Sequence, residues 1–115
     1  MLVNNGCITV FGSVNMPSES EAIDCFIKHK VVFGPAKAAN AGGVAVSGLD
    51  MSQKNIRLSW SFEEVDNKLH DIIVNIFRNG YEKTKEYGQN ECDLKTGSDI
   101  AGIEKAADAM MAKGI

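Results

Sequence analysis

The sequence has no apolar run near the ~20 residues that a membrane-spanning helix needs. Its first residues, MLVNNGC, lack the charged and apolar regions of a signal peptide. It holds three cysteines, Cys7, Cys25 and Cys92, widely spaced and without a CxxC pair. Such thiols read as reduced side chains of a cytoplasmic protein rather than a disulfide framework. With only His29 and His70 to join them, they do not supply a zinc site, and His70 has no HExxH partner. An excess of positive charge is also missing. Twelve Lys and Arg against fifteen Asp and Glu give a net charge of −3. That argues against a general nucleic-acid partner and against an anionic membrane surface, both of which call for a basic face. Neither GxGxxG nor GxxxxGK[ST] occurs, so the chain carries no phosphate loop. There is no internal repeat and no low-complexity segment.

What remains is an ordinary globular composition, 44% hydrophobic and 23% charged over 115 residues. That length makes one domain or part of one, able to bury roughly two-thirds of its unfolded surface. Residues 8–11 (ITVF) form a short apolar run closed by Gly12 and predict a buried strand. Pro17 suits the first turn of a helix, and residues 18–28 carry acids early and Lys28 late, in the sense of the helix dipole. Ala22, Ile23, Phe26 and Ile27 form its apolar face. Residues 31–33 (VVF) predict a second strand, ended by Gly34-Pro35. Strand, helix and strand at this spacing make a βαβ unit with parallel strands.

From Ala36 the pattern turns helical throughout. One helix is expected from about Ala36 through NAGGVAVSGLDMSQ. A second opens on the capping box Ser61–Glu64 and carries Phe62, Val65, Leu69, Ile72, Ile73, Ile76 and Phe77 in one stripe, ending near Tyr87-Gly88. Residues 88–98 predict a loop. A last helix is expected from Ser98 or Asp99, with Ile100, Ile103, Ala107, Met110 and Met111 on its face and Lys113-Gly114 at its end. Trp60 and Phe62 are assigned to a helix–helix corner, His70 to the surface, and Met110 and Met111 to core or interdomain packing. The fold class is α/β: two parallel strands in a βαβ remnant, followed by three C-terminal helices. Two parallel strands do not make a stable sheet alone, and LVNNG resembles the tail of a helix. The chain therefore reads as the end of a larger α/β domain.

Gly42, Gly43 and Gly48 stand inside one expected helix, where each costs about 1 kcal/mol relative to alanine. On a helix, Asn40, Val44, Ser47 and Met51 share one face, with Gly43 beside it and Gly42 opposite. Two readings stand side by side. The small residues let a neighbouring helix or strand approach closely, or they clear a wall for a small polar ligand. For such a ligand Asn40 offers a donor and an acceptor, and Ser47 offers a hydroxyl to a carboxylate.

The run GPAKAANAGGVAVSGLDMSQKNIRLSW, residues 34–60, resembles the C-terminal region of hexameric glutamate dehydrogenases of the small-subunit type. The likeness continues through EEVDNKLHDII to DIAGIEKAADAMMAKGI, and back through NMP at 15–17 to NGC at 5–7, so it covers nearly the whole chain. It implies that residues 1–35 are the terminal βαβ part of a Rossmann-like nucleotide-binding domain. Residues 36–115 would then be a helical part holding a substrate wall and the helices that brace the hinge. It also implies cofactor contacts at Asn15 and Asn40, where NADP or NAD places its nicotinamide end, and substrate contacts at Val44 and Ser47 with L-glutamate or 2-oxoglutarate. The family usually reads TEGANMP where this chain reads FGSVNMP, so Gly12 replaces a glutamate and Ser13 a glycine.

The reaction so implied is reversible oxidative deamination of glutamate to 2-oxoglutarate and ammonia, in a homohexamer. The lysine and carboxylate that handle protons in that family lie upstream of anything present here, as do the residues that choose between NAD and NADP. No catalytic residue is therefore assigned, and the chain alone is expected not to turn over. Lys37, nearest to the wall, is expected to be solvated or phosphate-facing. A reading from another class is a non-catalytic module that docks on a full-length dehydrogenase subunit or another partner through its exposed apolar edge. A third is a truncated gene product that aggregates.

Overall fold

The computed structural model describes residues 1–88 and 90–115. A single 3-10 turn at Val3–Asn5 ends on Gly6, which takes φ +76°. Glycine adopts that left-handed conformation without penalty. Strand β1 (Thr9–Phe11), helix α1 (Ser20–Lys28) and strand β2 (Val32–Gly34) follow. The strands are parallel, with Thr9 opposite Val32, Val10 opposite Phe33 and Phe11 opposite Gly34.

The core forms where α1 packs on this pair. Phe26, Val31 and Phe33 are buried together, with Val3, Val10, Ala22 and Ile23 against them. The Phe26 and Phe33 rings stack at 6.0 Å. Helix α1 has Glu21 in its first turn and Lys28 in its last, the predicted polarity, but begins two residues beyond the expected start at 18. Phe11 lies over Gly34: a Cβ there would fall inside its ring, so any larger residue would make that exposed ring turn away.

The helix expected from Ala36 is divided. Helix α2 (Ala36–Ala39) stops at Asn40, whose φ −96° and ψ 2° are non-helical, and α3 (Ala41–Ile56) restarts at once. Arg57 then takes φ +55° as a left-handed cap without being glycine. Helix α4 (Phe62–Tyr87) opens on the predicted capping box. The Glu64 amide donates to Ser61 Oγ at 3.2 Å, and the Ser61 amide donates to Glu64 Oε2 at 2.7 Å.

Helix α5 runs Leu94–Lys113, a full turn earlier than the expected start at Ser98. Residue 89 of the expected loop lies outside the described residues. The early start has a local cause: Asp93 is fully buried, and its carboxylate accepts from the Thr96 amide at 3.1 Å. Leu94 and Gly97 are buried behind it. Gly97 and Ser98 lie against Gly80 and Thr84 of α4 so closely that a Cβ on Gly97 would fall 2.6 Å from the Thr84 nitrogen.

One packing expectation needs correction. Phe62 is 83% exposed, so the corner is made by Trp60 alone, half-buried under the Lys68 ammonium at 4.8 Å. Met110 and Met111 are 51% and 70% exposed and form no core within this chain, so of the two expected roles interdomain packing is the one that stays open. His70 is at the surface as expected. Among the described residues no helix is long and apolar enough to cross a membrane.

Candidate functional site

The interruption at Asn40 puts its side chain to use outside the helices. Asn40 caps neither α2 nor α3 through its side chain. Its Nδ2 donates instead to Oδ1 of Asn15 at 3.2 Å, across 25 residues of sequence. Asn15 sits in the turn between β1 and α1, beside Met16, which takes φ +53° and is 93% exposed. A non-glycine residue held in that region is strained and needs a surrounding structure that fixes it. Part of that support is Pro17, which packs onto Gly12 so tightly that a Cβ on residue 12 would come 2.6 Å from its Cγ.

The structure thus joins two of the four residues singled out from the sequence. In this pairing Asn40 Oδ1 and Asn15 Nδ2 stay available, an acceptor beside a donor. Both groups are neutral; the nearest ion pair to the break is Lys37 of α2 with Asp99 of α5. Lys37 is 61% exposed, solvated as expected, and pairs with that carboxylate.

Val44 and Ser47 follow on the outward face of α3, both exposed, Val44 at 79%. The Ser47 hydroxyl donates back to the Gly43 carbonyl at 3.1 Å. To donate to a ligand it must rotate out of that bond. The glycines now have an account. A Cβ on Gly42 would meet Ile73 and Leu69 of α4 at 3.7 and 4.0 Å, ordinary contact distances, and a Cβ on Gly43 or Gly48 would meet nothing within 4 Å. Packing inside this chain requires glycine at none of the three. What Gly43 leaves open is the space beside Val44 and Ser47.

A separate cleft of about 420 Å³ lies at the carboxyl ends of β1 and β2, the position where open α/β sheets take ligands. Its walls are apolar, with Phe11, Pro35, Ile73, Phe77 and Leu94 prominent; Ser13, Tyr81 and Ser98 bring the hydroxyls. None of Asn15, Asn40, Val44 and Ser47 lines it. Its hydroxyl-bearing residues carried no signal in the sequence, because they come from three distant segments. Among the described residues no group of three or more His, Cys, Asp or Glu is placed to hold a metal ion, and the three cysteines are free.

Residues 1–114 match the model of the Glutamate/Leucine/Phenylalanine/Valine dehydrogenase family. The chain is 51% identical over 118 residues to a glutamate dehydrogenase of Bacteroides thetaiotaomicron, covering 99% of itself and 26% of that protein. It is 46% identical over 114 residues to an NADP-specific glutamate dehydrogenase of Helicobacter pylori, covering 99% of itself and 25% of that protein. The crystal structure of Plasmodium falciparum glutamate dehydrogenase superposes with a TM-score of 0.93 at 45% identity, over 99% of this chain and 24% of that one. The chain spans about a quarter of the length of the relatives it matches. With a matching fold across both strands and all the long helices, and a family match from the first residue to the last but one, the chain belongs to the Glutamate/Leucine/Phenylalanine/Valine dehydrogenase family.

Proposed function

We propose that this chain is the C-terminal part of an NAD(P)-dependent glutamate dehydrogenase subunit, cytoplasmic and hexameric when complete. There it serves the interconversion of L-glutamate with 2-oxoglutarate and ammonia. The observation that carries this reading is the Asn15–Asn40 hydrogen bond at the head of α3, one turn before the exposed face of Val44 and Ser47. Asn15 and Asn40 are assigned to the nicotinamide end of NADP or NAD. An amide pair with one donor and one acceptor free fits the carboxamide and ribose hydroxyls there. When bound, that cofactor supplies the hydride chemistry. Val44 and Ser47 are assigned to the substrate, Val44 against its methylenes and Ser47 to its side-chain carboxylate once the hydroxyl leaves Gly43.

The chain holds no assigned proton-handling lysine or carboxylate, so it positions ligands without completing turnover. The test is direct. The purified chain is incubated with 2-oxoglutarate, ammonium and NADPH or NADH, and absorbance of the reduced cofactor is followed. No consumption is expected, and clear turnover would overturn the division of labour. In a complete family enzyme carrying this segment, Ser47→Ala is expected to raise the KM for glutamate by about tenfold, the loss of one hydrogen bond to a charged group.

A further inference from the structure

The turn that carries Asn15 is built on a glycine and a proline. Gly12 is buried, and its amide donates to the Gly34 carbonyl at 3.4 Å where β1 leaves β2. A Cβ on Gly12 would come 2.6 Å from Pro17 Cγ and 3.4 Å from Cβ of Ala36, the first residue of α2. The Pro17 ring therefore rests on the bare backbone of Gly12, beside the start of α2. Asn15 and Met16 lie inside the loop that this contact closes.

Within that loop Met16 takes φ +53°. Its side chain is 93% exposed, so side-chain packing does not hold the conformation. Chirality disfavours positive φ for a residue with a Cβ. A following proline also pushes its predecessor towards extended backbone. Two general preferences are overridden at one residue, which requires surrounding structure that over-determines the backbone. Contacts on either side of Met16 supply it: Pro17 on Gly12, and Asn15 bonded to Asn40 at 3.2 Å. Asn15 is exposed as well, so burial does not fix its rotamer. Its aim comes from the backbone that presents it.

We propose that Gly12, Met16 and Pro17 are positioning residues for the nicotinamide end of the cofactor site. The Pro17 ring seated on Gly12 keeps Met16 at positive φ. That bend directs Asn15 Oδ1 to Asn40 and leaves Asn15 Nδ2 available. Gly12 acts by lacking a Cβ, and Met16 acts through its backbone alone. The proposal rests on the proposed function for the identity of the ligand, and adds the residues that hold the amide pair in one orientation.

The test has two readouts. In the first, the NADP-specific glutamate dehydrogenase of Helicobacter pylori carries this chain in place of its matching segment, and KM is measured for NADPH and for 2-oxoglutarate. Asn15→Ala is expected to raise the KM for NADPH about fivefold, the loss of one hydrogen bond. Gly12→Ala raises it similarly by lifting Pro17 away. Met16→Val does so because a β-branched residue resists positive φ, whereas Met16→Asn tolerates that φ and stays near the parent value. The KM for 2-oxoglutarate does not follow these changes. Adding Asn15→Ala to Gly12→Ala or to Met16→Val causes no further loss, since both changes act through one bond. Gly102→Ala, where a Cβ meets nothing within 4 Å, is the control and keeps both constants.

The second readout needs no activity. In the full 115-residue chain, Gly12→Ala and Met16→Val move the Asn40 side-chain amide resonance as Asn15→Ala does, and Met16→Asn does not. An unmoved resonance in the first two overturns the proposal whatever the kinetics. Additive losses of NADPH affinity overturn it too, as does an equal KM for Met16→Val and Met16→Asn. If Asn15→Ala alone raises the KM and the turn variants match the parent, the proposal fails and the cofactor assignment stands. If Asn15→Ala matches the parent, the assignment fails and the proposal falls with it.

Discussion

Substituting Gly97→Ala tests whether α4 and α5 are held by direct backbone contact. An added methyl would fall 2.6 Å from the Thr84 nitrogen and against Gly80 O and Thr84 Oγ1. Ordinary heavy-atom contacts lie near ~3.5 Å, so the helices must separate by about 1 Å. Because the obstacle is backbone, rotamer changes cannot relieve it, and the cost lies at the upper end of the ~1–3 kcal/mol typical of overpacking. Separation also loosens the Thr84 hydroxyl, which shares its hydrogen between Gly80 O at 2.9 Å and Asp93 O at 3.2 Å, for about 1 kcal/mol more. Alanine returns about 1 kcal/mol through helix propensity. The net expectation is a loss of about 2–3 kcal/mol, a fall in melting temperature of about 10–15 °C for a chain of this size. Circular dichroism at 222 nm during heating reads it. Gly102→Ala, five residues along the same helix where a Cβ meets nothing within 4 Å, is the control and is expected to raise the midpoint. If Gly97→Ala melts with the parent or with Gly102→Ala, the close approach of the two helices is refuted.

Three further expectations follow the same physics. Gly43→Ala and Gly48→Ala, on α3 surfaces that are open within this chain, each raise unfolding free energy by about 1 kcal/mol in urea titrations; destabilisation by either would mean that those faces are already covered. In a complete family enzyme, Gly43→Ala is in addition expected to weaken substrate binding, whereas Gly48→Ala is not. The hydrogen bond from the Ser61 amide, helped by the Ser61 hydroxyl and by Lys68, holds Glu64 below its usual carboxylate range. A depressed carboxylate binds its proton less tightly in the folded state. The capping box therefore contributes fully above the ordinary glutamate pKa and is lost as pH falls through the lowered folded value. Protection of the Ser61 amide, its exchange rate relative to the intrinsic rate at each pH, is expected to fall over that acidic window, and Glu64→Ala should abolish the dependence. Asn15→Ala removes the bond to Asn40 and is expected to cost about 1 kcal/mol, with a shift of the Asn40 side-chain amide resonance.

Local rules read from the sequence account for much of this protein. The polarity of α1 and the reciprocal Ser61–Glu64 cap depend on neighbours within a few residues, and the parallel pairing of the βαβ unit on the general rule for such crossovers; each stands where expected. So does the shared side of Val44 and Ser47 on α3, because helical periodicity alone places them together; that this side faces outward is a result of the fold. Whatever depends on distant partners was decided by tertiary structure. Residues 36–56 read as one helix because alanine and glycine carry no punctuation, and the break at Asn40 accompanies a side-chain bond to a turn 25 residues away. The start of α5 was hidden because DLKTG is polar by composition, yet burial of Asp93 and Leu94 against α4 makes it a helix cap. Gly80 and Gly97 look idle in sequence and become the point where two backbones touch. The cleft beyond β1 and β2 has no sequence signature, since its walls come from segments that only folding brings together. Short-range hydrogen bonding and periodicity are written along the chain, whereas close approach and concavity exist only once separate elements share the same space.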